Sequence, residues 1–105
     1  MNKRRVIGEL TTLMANALRH RIGSIVNSNE IYAQKYEKDA EILLKEAMKV
    51  SLQVNWNQYD KNKIKEDLKK KLQLELEKAD FLNEKKFEIL DKEIDKVLRD
   101  LDLDL

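Results

Sequence analysis

"AQKYEKDAEILLKEAMKVSLQV", residues 33–54, contains the most regular apolar pattern in the chain. Ala33, Ala40, Ala47 and Val54 recur every seven residues, with Tyr36, Leu43 and Val50 between them at the same period. A sustained 3-4 alternation predicts a helix, here over about 29–54, that lies along a partner helix at the shallow crossing angle of bundles. Alanine at successive layers lets that partner approach closely.

The flanking segments repeat the theme. Val6, Ile7, Leu10, Leu13, Met14, Ala17, Leu18, Ile22 and Ile25 form one helical stripe, predicting a first helix over about 3–26. Asn27 and Glu30 have the spacing of a capping box at the next start. "VNWNQYDKNK" (54–63) reads as a connection, with Asn55, Asn57 and Asp60 as turn or capping residues. Ile64, Leu68, Leu72, Leu76 and Ala79 predict a third helix from 58 or 60 to 79. Phe87, Ile94 and Leu101, with Leu90 and Val97 between, predict a fourth over about 84–101. Asp80 and Asn83 would fall in the seam of either heptad, which favours a turn there over one continuous helix, although periodicity leaves both open. The expected fold is all-α: one domain, an up-and-down bundle of three to four helices, completed in one version by dimerisation.

Composition agrees with helices. The 105 residues include no proline, two glycines and 39% charged residues. Absence of cysteine excludes disulfides and thiolate chemistry, and makes a cytoplasmic location the default. The basic start "MNKRR" is followed by an apolar stretch that Glu9, Thr11 and Thr12 interrupt, so a signal peptide is not expected. No apolar run approaches the ~18 residues of a spanning helix, and no membrane role is expected.

A net charge of +1 excludes a bulk electrostatic argument for nucleic acid. The distribution is uneven, because Lys3, Arg4, Arg5, Arg19 and Arg21 face a single acid, Glu9, within the first 27 residues. Arg5, Asn16 and Arg19 share the helix face opposite the apolar stripe, and "KNKIKEDLKKK" (61–71) adds Lys69, Lys70 and Lys71. Together these six are the candidate phosphate and base contacts of a nucleic-acid-binding protein. Glu9 interrupts the face, and no aromatic residue offers a stacking platform. A solvated face is the simpler reading. Lysines in the first turn of the third helix oppose its dipole, which fits either an anionic partner or solubilisation.

The single histidine, His20, lies at the boundary of the first helix's apolar stripe. "LRHRIGSIVN" (18–27) resembles, over a few residues, the histidine box of two-component phosphotransfer helices, which would make His20 a phosphoacceptor. No acid stands beside it in sequence to act as base, and we read the likeness as chance. Arg21 is more unusual, being central in the apolar stripe, where a guanidinium must pair, snorkel or face a partner. Trp56 and Tyr59, beside the connection, can plug the bundle end or anchor a partner. The tail "LRDLDLDL" (98–105) reads as a fraying helix end, with strand addition to a partner as the alternative.

No glycine-rich phosphate loop, nucleophile elbow or metal-ligand cluster appears, so neither an enzyme nor a cofactor is expected. The expected function is protein–protein interaction, with a homodimer as one form. Its candidate interface residues are Arg21, Trp56, Tyr59, Phe87 and Ile94; nucleic-acid binding is the alternative.

Overall fold

The computed structural model describes residues 2–26, 30–78 and 85–104. Five helices follow in order: α1 (Lys3–Val26), α2 (Glu30–Ser51), α3 (Gln58–Lys78), α4 (Lys85–Glu88) and α5 (Leu90–Asp100). No strand occurs among the described residues.

The helices alternate in direction. Lys3 meets Asp60 at the starts of α1 and α3, so those two run parallel. Lys65 with Asp95 and Lys69 with Asp91 set α3 and α5 antiparallel. The segment 58–101 is therefore more than one helix. The turn expected around Asp80 and Asn83, Ala79, and the Asn27 cap lie outside the described residues.

Helix α1 is the central element. It touches every other helix, whereas α2 packs its backbone against α1 alone. The 41 Å long axis is about the length of α1, 24 residues at ~1.5 Å each. Leu10, Met14, Leu18 and Ile22 of α1 are fully buried against Ile64, Leu68, Leu72 and Leu76 of α3, with Ile94 and Val97 of α5 in the same cluster. Burying each such side chain contributes roughly 1.5–3 kcal/mol. From α2, Ala40, Ala47 and Val50 are buried, and the small alanines bring this helix close against α1. The α2 seam thus finds its partner within the same chain.

Three ends show why the helices stop where they do. At the start of α3, Asp60 N–H donates to Asn57 Oδ1 (2.8 Å) and Asn57 N–H donates to Asp60 Oδ2 (3.2 Å), a reciprocal capping box. At the end of α2, the Trp56 indole N–H donates to the Ser51 carbonyl (2.9 Å), occupying the acceptor that the next helical turn would use. This ends α2 three residues before Val54. At the end of α5, Leu103 N–H donates to Leu98 O (2.7 Å) and Asp102 N–H to Arg99 O (3.1 Å), with Asp102 at φ 57°. These are the two bonds of a Schellman motif, and its apolar contact partners, Leu98 and Leu103, are both buried. The described part of the tail, to Asp104, is thus neither a fraying end nor a strand. It folds back and inserts Leu103 into the core.

The fourth expected helix is interrupted at Ile89, whose φ −99° and ψ −1° separate α4 from α5 without a proline or glycine to mark the break. Phe87, expected in the seam with Ile94, is instead 41% exposed, and the Lys86 ammonium lies 5.1 Å from its ring centroid.

Candidate interaction surface

Because the backbone of α2 packs closely against α1 alone, about half of its residues face outward. Its outer face carries a second stripe with the same seven-residue rhythm, offset by two from the inner seam: Ile31, Lys35, Lys38, Ile42, Lys45 and Lys49, with Leu52 continuing it in the turn just past the helix end. All seven are exposed, with Ile42 at 56% and Leu52 at 77%. No acidic residue occurs on this stripe; Glu37, Asp39, Glu41 and Glu46 lie to its sides. Among the described residues, Lys35, Lys38 and Lys45 form no ion pair, and Lys49 meets Glu46 at 3.6 Å across open solvent. Lys45, Lys49 and Asp100 also border a groove between α2 and the end of α5, about 480 Å³, whose apolar lining is Leu44, Met48 and Leu101.

Of the five interface residues expected from sequence, Ile94 is 2% exposed inside the chain's own core and is not available to a partner. Its heptad signal is real but serves folding within the chain. Trp56 is half-buried, packed on the core, with its N–H bonded to Ser51, so it plugs the bundle end. Tyr59 is 77% exposed and Phe87 is partly exposed. Arg21 is half-buried, and its buried Nη1 has no hydrogen-bond partner among the described residues. Of the three alternatives for a guanidinium in the stripe, an ion pair is not formed among those residues.

Of the six basic or polar residues of the nucleic-acid alternative, Asn16 and Lys71 line one cleft between α1 and α3 together with Glu75, the neighbour of Arg19. Arg5 and Lys70 are exposed. Lys69 pairs with Asp91 at 3.4 Å, and Arg19 lies 4.0 Å from Glu75 of α3. Lys71 reaches back to α1 and donates to Gly8 O (2.9 Å), Thr11 Oγ1 (2.7 Å) and Thr12 Oγ1 (3.0 Å), which saturates its three N–H bonds. Asn16 and Arg19 are half-buried because a central helix is covered on more than one side.

His20 acquires neighbours that sequence proximity conceals. Its Nδ1 lies 2.7 Å from Asn16 O, and since a carbonyl only accepts, Nδ1 carries the proton. The ring meets Tyr36 of α2 edge-on at 5.9 Å, and Nε2 lies 4.0 Å from Asp39 Oδ2. The acid absent beside His20 in sequence therefore comes from α2, and the cluster ties α2 to α1.

Neither Asp39 nor the outer stripe of α2 was identified from the sequence. The stripe had a signal, since a second heptad register runs through the same residues, but lysines at four of its seven positions hide it from an apolar count. Among the described residues no group of three or more histidine and carboxylate side chains converges as a metal site. None of the described helices is long and apolar enough to cross a membrane. The chain matches no family model, no curated protein and no solved structure.

Proposed function

We propose that the chain is a protein-recognition module whose working face is the outer stripe of α2 with the adjoining groove. The observation that supports this reading is the exposure of Ile42 and Leu52 among four lysines, beside the groove floored by Leu44, Met48 and Leu101. Single exposed aliphatic residues are ordinary, but a helix-length row beside an apolar groove provides anchor positions. The partner that fits is a helical segment with apolar anchors for the groove and carboxylates toward Lys35, Lys38, Lys45 and Lys49. Charge complementarity of this kind sets orientation and speeds encounter.

A second copy of this chain fits the face poorly, since two lysine stripes would oppose each other. Of the seam residues behind the homodimer reading, Ala40, Ala47, Ile94 and Val97 are buried within one chain, whereas Phe87 stays exposed. The nucleic-acid reading is weakened by Lys71 and Lys69, whose ammonium groups are engaged internally.

Co-purification from the native cell tests the proposal, comparing the wild-type chain with Ile42→Glu/Lys45→Glu/Lys49→Glu and with Lys70→Glu as a charge control. A partner retained by the wild type and the control, and lost from the triple variant, supports the assignment. Identical partner profiles for all three proteins would remove it.

A further inference from the structure

Lysines at the start of α3 oppose its helix dipole, and the α2 recognition face does not use them. In the structure Lys61 and Lys65 of α3 face Lys92 and Arg99 of α5 across a cavity of about 410 Å³, beside the buried Leu98 and Leu103. Ligand pockets of small molecules begin at roughly 300 Å³. The cavity exists because of the fold-back after α5. Asp102 takes a left-handed conformation that few non-glycine residues adopt, and it brings Leu103 and Asp104 to the cavity wall.

The charges do not cancel. Two acids, Asp95 and Asp104, line the cavity with the four cations. Lys65 is matched by Asp95 at 3.5 Å, whereas Lys61, Lys92 and Arg99 form no ion pair among the described residues. Three unpaired cations from two helices, with one remaining acid, raise the local positive potential in a way that a bound anion relieves. Arg99 presents a planar fork suited to phosphate oxygens, and the lysines act as point charges.

We propose that this cavity between α3 and α5 binds a small polyanion of the phosphate class, carrying at least two negative charges. The site is separate from the α2 face, so either assignment can fail without the other. A free polyphosphate and the polyphosphate tail of a nucleotide share this chemistry, and the test distinguishes them.

The test is a titration of the full chain with sodium pyrophosphate, and separately with ATP, at constant ionic strength, followed by backbone amide NMR. We expect saturable shifts confined to residues 61–65 and 92–104. Lys61→Ala/Arg99→Ala should weaken binding at least tenfold, while Lys70→Ala leaves it unchanged. Tighter binding of ATP assigns the site to a nucleotide, and equal binding assigns it to the polyphosphate group alone. Shifts spread over all lysine-bearing helices, equal weakening by Lys70→Ala, or no saturation at millimolar ligand would each overturn the proposal. The substituted side chains border solvent, and an unchanged circular dichroism spectrum for each variant establishes that it folds.

Discussion

The ammonium of Lys71 on α3 is held 2.9 Å from the carbonyl oxygen of Gly8 on α1, with the hydroxyls of Thr11 and Thr12 completing its coordination. No carboxylate among the described residues takes part. Both hydroxyls also donate to carbonyls one turn back, Thr11 to Ile7 (2.8 Å) and Thr12 to Gly8 (2.9 Å), which turns their lone pairs toward the lysine. The arrangement fixes α3 against α1 in register. Hydrogen bonds to a charged group contribute roughly 1.5–3 kcal/mol when buried, and this group is only partly so. Lys71→Met, which keeps most of the apolar stem, should destabilise the fold by about 1–2 kcal/mol in urea unfolding. A double-mutant cycle with Thr11→Val should give a non-zero coupling, and strict additivity would show that the contact contributes nothing.

Gly8 itself offers a gain. A Cβ built there meets nothing within 4 Å, and the residue has an ordinary helical backbone inside α1. Gly8→Ala should therefore stabilise the chain by about 0.5–1 kcal/mol through helix propensity and the unfolded state. A lower melting temperature for this variant would show that the Lys71 contact requires the bare backbone.

Acid should loosen the bundle at a defined place. The Lys3 side chain donates to Asp60 at 2.8 Å and the Asn57 N–H adds a second bond, holding the Asp60 carboxyl below its ordinary value of 3.8 against the opposing effect of burial. A carboxyl whose folded pKa lies below its unfolded one stabilises the fold fully above the unfolded value. That contribution is lost as pH falls from about 4 through the folded value. Lys3→Met should flatten the stability profile in this acid window, and an unchanged profile would place the acid sensitivity elsewhere.

The fold-back after α5 makes a paired prediction. Asp102 adopts φ 57°, where glycine carries no Cβ penalty, so Asp102→Gly should stabilise by up to about 1 kcal/mol. Leu103 is 1% exposed, and Leu103→Ala should cost about 2–4 kcal/mol. Thermal unfolding of the two variants reads both signs, and a neutral Leu103→Ala would mean that the tail is loose in solution.

What was legible in the sequence follows from what local patterns encode. The bounds of α1 and α3 followed from their apolar stripes, and Asn57 and Asp60 announced their cap. The seam of α2 was equally plain, yet a heptad specifies a packing geometry and not which helix supplies the other side. That is why Ile94 read as an interface residue when it belongs to the core. Arg19 and Asn16 read as solvated because a wheel does not show that α1 is enclosed by α2, α3 and α5. Asp39 lies nineteen positions beyond His20, so only the pairing of helices brings them together. The turn at Asp102 escaped notice because aspartate stands where glycine would have marked it.

The most direct test of the division between the inner and outer faces of α2 compares Ala47→Glu with Ile42→Glu by thermal unfolding over a range of protein concentrations. Ala47 is fully buried against α1, and Ile42 is exposed. We expect Ala47→Glu to lose more than about 3 kcal/mol, because it buries an unpaired charge, while Ile42→Glu stays within about 0.5 kcal/mol of the wild type. The wild-type midpoint should be independent of concentration. Equal destabilisation by the two substitutions, or a midpoint that rises with concentration, would contradict the placement of the seam inside one chain and of the recognition face outside it.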